Sequence, residues 1–290
     1  MKHPAIPVFV LIFASCLWGL SWLPLKALSG LGFEGVSLIL IGHLILSVIF
    51  LRSGFNIRFI RSHAKPLIGI FFAGGSAILC FTYALIYGDV IRVMILFYLL
   101  PVWGVIGGRL FLGEHIDWVR WLGMGLALMG AALILGGPEI LDEPPTWIDF
   151  IAFCSGLFFA VNNIFFRGVD AVPLATKLLA MFVGCSVICM VTLIFTQESI
   201  PSDIPATNYL WLIFYSVTWL LVANILSQWA VTKMEAGRSS IIIIFELFAA
   251  VISAMILGGE TMNLLEGVGC GLVVVAAFLE AFRIPKASNT

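Results

Sequence analysis

Charge is scarce in this chain. Only 11% of its 290 residues are Asp, Glu, Lys or Arg, where a soluble protein carries roughly 25%. That is too little polar surface to coat a water-soluble globule. An excess of one sign is missing too. The formal net charge is −1, which gives no basic surface for nucleic acid. Cysteine is sparse and poorly placed for bridges or metal. Cys16, Cys80, Cys154, Cys185, Cys189 and Cys270 all fall in apolar stretches without a CxxC pair, so they read as small packing residues. His3, His43, His63 and His115 are scattered, which argues against a zinc cluster. No HxxxD, DDxxD, HExxH or Ser/His/Asp grouping occurs, so no enzyme chemistry is expected. No cofactor motif is present either.

What is there instead is apolar length. Hydrophobic residues make up 61% of the chain, in runs near the ~20 residues that cross a hydrocarbon core at about 1.5 Å per residue. Breaks at charge, proline and turn residues predict helices over 7–28, 34–51, 65–87, 91–110, 117–136, 146–166, 174–196, 207–231, 237–257 and 263–282. The first run contains Trp18, Trp22 and Pro24 and ends in no small-residue cleavage site. It is expected to be a retained helix and not a leader. With the N-terminus inside, every Lys and Arg except Lys26 and Arg92 falls on the cytoplasmic side. The two longest outer loops, GGPEILDEPPTWID and QESIPSDIPATN, carry neither. This bias predicts an inner (plasma) membrane protein with both termini cytoplasmic.

The chain also repeats itself. A shift of 146 residues lays Gly113-Glu114 on Gly259-Glu260, and Gly123 and Gly125 on Gly269 and Gly271. It lays Ala84 on Ala230, Asp89 on Glu235 and Arg92 on Arg238. A shift of 141 lays Trp18-Gly19 on Phe159-Ala160 and Lys26 on Arg167. Matched charges are informative because charges are rare here. The expected architecture is all-α integral membrane, with ten transmembrane helices in two inverted five-helix repeats, 1–140 and 141–290. Five spans are an odd number, so the second repeat enters the bilayer in the opposite sense, an arrangement found in secondary transporters. The lack of a phosphate-binding loop argues against ATP-driven pumping.

Several motifs resemble the EamA-type branch of the drug/metabolite transporter superfamily across nearly the whole chain. They are Trp18-Gly19, Ala84-Leu85 before a short turn, Pro101-Val102 with Leu112-Gly113-Glu114, Phe159-Ala160 with Arg167, and Glu246-Leu247-Phe248-Ala249 with Gly259-Glu260. The resemblance implies a central cavity lined mainly by helices 1, 3, 4, 6, 8 and 9, with helices 5 and 10 peripheral. It also implies small metabolites as cargo, often moved outward. The chain departs from the family at Leu247, where members often carry proline.

Glu246, set between IIIIF and LFAA, is the sharpest candidate. A carboxylate at bilayer depth is costly unless paired, hydrated or protonated. It reads as a counter-charge for a substrate amine or a proton-coupling group; the plainer reading is an interhelical hydrogen bond. Asn163, Asn224 and Gln228 read as polar contacts for substrate or as interhelical hydrogen bonds, and Asn162, Ser227 and His43 carry the same two readings. Trp18, Tyr83, Tyr98 and Phe159 lead a candidate aromatic wall that also includes Trp22, Phe97 and Trp219, suited to organic cations. Trp118, Trp121, Trp147 and Trp211 read as interfacial anchors. Asp89/Arg92 and Glu235/Arg238 are capping pairs or gate latches, Glu114 and Glu260 cap turns, and Lys26 and Arg167 are expected to reach toward headgroups. The expected function is alternating-access transport of amino-acid-like or amine-bearing metabolites by export or exchange, with multidrug or organic-cation efflux as the alternative. The partners are a small-molecule substrate and the lipid bilayer. The glycines of helices 5 and 10 join the halves or support a weak homodimer.

Overall fold

The computed structural model describes residues 5–88, 90–136, 144–196, 204–259 and 262–283. Asp89 and Glu260, both singled out above, lie outside them. The described residues are helical with no strand. Among the described residues, nine apolar stretches are long enough to cross a bilayer. They are Ile6–Ser29 (α1 Ile6–Gly19 and α2 Trp22–Ser29), Gly35–Gly54 (α3), Ala64–Leu85 (within α5, Ala64–Tyr87) and Arg92–Leu112 (within α6 Val90–Phe97 and α7 Leu100–Leu112). Trp147–Gly168 (α9), Leu174–Thr196 (α10), Ala206–Lys233 (α11 Ala206–Tyr215, a π turn at Ser216–Leu220, and α12 Leu221–Lys233), Ala236–Gly258 (α13 Ala236–Ile243 and α14 Phe245–Gly258) and Leu264–Phe282 (α15) complete the set. A short helix, α4, runs over Ile57–Ser62. The fifth expected crossing is the shorter apolar helix α8, Trp118–Ile134, of 17 residues and about 25 Å.

The exterior is apolar. Phe195 is 83% exposed, Phe111 and Ile256 75%, and Val48 71%. Water would not tolerate such a surface, but lipid does, and the chain is a multi-pass membrane protein. In lipid the helices gain little from hydrophobic burial against each other, so close packing at small residues has to hold them together. The α8–α15 pair shows this best. A Cβ on Gly130 would stand 2.8 Å from Gly269 O, and one on Gly269 would stand 2.7 Å from Gly130 O. Further along the same crossing, Gly123 faces Ala276 O. Elsewhere α3 packs on α10, and α5 on both α9 and α10.

The ends of α7 and α14 are built alike. Gly113 closes α7 at φ +68° and Gly259 closes α14 at φ +72°. This left-handed cap costs glycine nothing. Four residues on, Asp117 accepts from the Arg120 N–H to start α8, and Asn263 accepts from the Glu266 N–H to start α15. Both pairs are 146 residues apart, the register read from the sequence.

Candidate functional site

Three of the long stretches are broken along their length, two of them at a proline. In the first, Pro24 has no N–H for Leu20 O, and the Ser21 N–H turns back to Trp18 O at 2.9 Å. That leaves Leu17 O free. It accepts from Ser21 Oγ at 3.0 Å and from Trp219 Nε1 at 3.1 Å. Trp219 lies in the π turn at Ser216–Leu220, a distortion common at functional positions. In the second, Pro101 leaves Phe97 O without its helical donor, and α6 gives way to α7 across Tyr98-Leu99. A Cβ on Gly156 would stand 2.4 Å from that oxygen, so α9 passes directly beside the break. In the third, the helix yields at Ile244, and the Leu247 N–H bonds to Ile244 O at 2.9 Å. Tyr98 and Ile244 are again 146 residues apart. The break at Ile244 therefore stands where this chain carries Leu247 in place of the family's proline, through a tightened turn.

The three breaks meet at Glu246. A Cβ on Gly19, at the end of α1, would stand 2.5 Å from Glu246 O and 2.9 Å from Ala250 N. The Tyr98 side chain, from the second break, lies beside the Glu246 carboxylate. Glu246 itself occupies the first turn of α14 and is half-buried. Unpaired N–H groups at that helix start favour a negative charge beside them. Aromatic rings back the pair. Phe97 lies 5.1 Å from Tyr98, 5.8 Å from Phe159 and 4.5 Å from Phe81 between ring centroids. Trp18 donates to Ser227 Oγ at 3.1 Å, and Trp22 donates to Ser253 Oγ at 2.9 Å. The first long stretch is thus tied to α12 and to α14, the helix that carries Glu246.

The remaining sequence candidates divide. Asn163 and Gln228 sit in α9 and α12, which pack together. They are 0% and 2% exposed, and Asn163 Nδ2 and Gln228 Oε1 have no partner among the described residues. Asn224 spends its amide on Leu220 O at 2.8 Å, bracing the exit from the π turn. His43 faces Ile39 O of its own helix at 2.8 Å. Tyr83 packs on Tyr87 and Trp147, with ring centroids 4.5 Å and 5.9 Å away. Trp118, Trp121, Trp147 and Trp211 are all exposed, as anchors must be.

One expectation about charge needs correction. Arg167 does not reach away from the protein; it donates to Thr232 O at 3.1 Å, where α12 ends in unpaired carbonyls. Glu235 ion-pairs with Arg120 and Arg283, and its charge also acts on Arg238, which donates to Ala281 O; Arg92 pairs with Asp149 at 2.9 Å, and Asp89 lies outside the described residues. Sequence reading also missed Lys177. Its ammonium is buried and donates to Phe166 O at 2.9 Å and Thr232 Oγ1 at 3.0 Å, capping the end of α9. Beside it, Asp170, Lys233 and Trp229 line a cavity of about 250 Å³. Lys233 holds the Asp170 carboxyl below its usual range.

The EamA-like transporter family model matches this chain twice, over residues 5–136 and 146–281. The chain belongs to the EamA-like transporter family. A relative described as the uncharacterized transporter YoaV of Bacillus subtilis (strain 168) is 20% identical over 292 residues, covering 95% of this chain and 97% of that one. A solved crystal structure described only as that of a protein covers 95% of both chains at 14% identity and a TM-score of 0.75, a likeness of fold. An EamA-like membership makes this a membrane transporter and not an enzyme.

Proposed function

We propose that the protein is a secondary transporter of amino-acid-like or amine-bearing metabolites, working by alternating access between two inverted five-helix repeats, 1–140 and 141–290. It resides in the inner membrane with both termini cytoplasmic and exports or exchanges its substrate. The observation that carries the reading is the meeting of Glu246 and Tyr98 at three interrupted helices. Interrupted helices near the bilayer midplane put free backbone groups and charge where a substrate binds. A carboxylate there supplies the counter-charge for an ammonium group, and the rings of Phe81, Phe97 and Phe159 supply the apolar wall.

The repeat reading is supported by the paired caps Gly113/Gly259 and Asp117/Asn263 and by the double match of the family model. The α8–α15 crossing supports it too. The contact Gly130–Gly269 becomes 276–123 when each residue is replaced by its repeat equivalent, and Ala276 does face Gly123. A two-fold axis between inverted halves requires that exchange.

The test is Glu246→Gln in proteoliposomes, after a thermal-shift panel of amino acids, amines and organic cations has picked the cargo. The expected result is a folded protein with counterflow of amines reduced to background. Full flux in Glu246→Gln would remove Glu246 from the mechanism. The same aromatic cluster also suits flat organic cations, which keeps multidrug efflux as a second reading. Counterflow of quaternary cations but not of amino acids or small amines would favour it.

A further inference from the structure

The end of the molecule that carries most Lys and Arg is closed by charge. Arg120, fully buried at the start of α8, reaches Glu280 of α15 at 2.9 Å, Glu235 at 2.6 Å and Glu114 at 3.5 Å. Arg283 joins Glu235, Asp117 at 2.8 Å and Glu280 at 3.2 Å. Glu114 accepts from the Ala236 N–H at 2.6 Å and the Gly237 N–H at 3.1 Å, so the end of α7 caps the start of α13. The network joins Glu114, Asp117 and Arg120 of the first half to Glu235, Glu280 and Arg283 of the second. Among the described residues it is not fully satisfied: Glu280 Oε2 is buried without a partner.

Beneath it α7 and α13 are pressed together. A Cβ on Gly104 would stand 1.8 Å from Ser240 Oγ, and one on Gly237 would stand 3.1 Å from Val105. Under the 146-residue shift α7 becomes α14 and α13 becomes α6. Among the described residues, α14 and α6 form no comparable interface. Likewise α9 packs on α12, while their equivalents α1 and α5 do not pair in that way. Among the described residues the two ends of one pseudo-symmetric molecule therefore differ: α7 and α13 meet at the Lys/Arg-rich end, while at the other end α6 and α14 do not, and the ion pair there, Arg92 with Asp149, joins α6 to α9.

The sequence explains why the other end has no matching closure. Its repeat equivalents replace Arg120 with Glu266, Glu280 with Ile134 and Arg283 with Gly137. Among the described residues the arginine hub stands at one end alone.

We propose that Glu235 and Glu114 form a one-sided latch with the fixed α8–α15 pair, holding the resting transporter closed at its Lys/Arg-rich end and open at the other. The latch rests on the alternating-access reading above. Opening that end requires α13 to leave α7, which strips Glu114 from the Ala236 and Gly237 N–H groups and Glu235 from both guanidinium groups. The fixed contacts Arg120–Glu280 and Arg283–Asp117 survive the motion. A load that must be broken on one side only biases the two-state equilibrium toward the other state.

The experiment is thiol labelling from each side of the membrane, in oriented vesicles, with a charged maleimide. Val105→Cys reports on the α7–α13 seam and Val251→Cys, half-buried on α14, reports on the opposite end. Mass spectrometry of the peptide carrying each site separates it from the native cysteines. The expected result is a protected residue 105 in the parent. In Glu235→Gln it labels roughly tenfold faster from the Lys/Arg-rich side, while residue 251 becomes slower from the other side. Glu235→Asp, which keeps the charge and shortens the reach, gives a smaller shift and serves if the Gln variant does not fold. A residue 105 that stays protected in a folded Glu235 variant overturns the latch and leaves alternating access standing. A residue 105 that gains reactivity while 251 keeps its full rate describes a leak through both ends, and that outcome overturns the alternating-access reading itself.

Discussion

Glu114 shows how one side chain can serve another helix more than its own. Its two oxygens each take a backbone N–H of α13, and Arg120 lies alongside. Burial pushes its carboxyl above the usual glutamate range, against the pull of those N–H groups. A carboxyl raised on folding contributes stability that is complete below its unfolded value near 4.5 and is lost as pH rises through the folded value. Asp117 behaves oppositely. Burial raises it, but the Arg120 N–H and Arg283 bring it below 3.8, so its contribution disappears only in stronger acid. The thermal midpoint in detergent should therefore fall in the parent as pH climbs from 4.5, and Glu114→Gln should flatten that slope. The Gln variant should also lose about 1–3 kcal/mol, because its amide nitrogen faces a donor. An unchanged slope would mean that Glu114 does not titrate in this window. At this scale the sequence was readable only where a residue was out of place. Glu246 stood out because it interrupts an apolar run. Lys177, Arg120 and Glu280 did not, because near a helix end a charge looks like an ordinary interfacial residue, and only the fold reveals that the end is covered.

Helices and their limits were more legible. The expected 174–196 is α10 to the residue, and 65–87 differs from α5 by one. Long apolar runs bounded by charge admit few other solutions in a membrane. The breaks were less visible. Pro24 and Pro101 could announce two of them, yet the break at Ile244 contains no proline, and the π turn before α12 has no signature in its letters. They depend on what stands opposite, as when Trp219 fills the carbonyl left open at Leu17. Glycines divide the same way. Gly130 and Gly125 read alike in the sequence, but only Gly130 has a partner backbone against it. Gly130→Ala should lower stability by about 1–3 kcal/mol through overpacking of the α8–α15 seam. Gly125→Ala, where a Cβ meets nothing within 4 Å, should be neutral or gain up to about 1 kcal/mol. Chemical unfolding or thermal melting of the two variants checks this, and equal effects would mean that the seam is looser than it looks.

The whole molecule is a transporter whose two ends differ. Its topology makes a direct prediction. Tags on the N-terminus, on the loop at residues 55–56 and on the C-terminus should all be reached from the cytoplasm, and a tag in the loop at residues 144–145 from outside. If the helices at Ile6–Ser29 and Trp147–Gly168 enter from one side, the inverted arrangement fails. The sequence by itself determined that this chain is a set of apolar helices that lives in a bilayer, and it carries the expectations of which side its positive charges take and of the repeat register. Those are matters of transfer energy and periodicity, and each residue contributes to them independently of its neighbours in space. Only the tertiary structure decided that three broken helices meet on Glu246 and that one end carries an arginine hub. Such features arise from atoms that lie more than 100 residues apart in the chain, as Arg120 and Glu280 do, and no local pattern records which of them will touch.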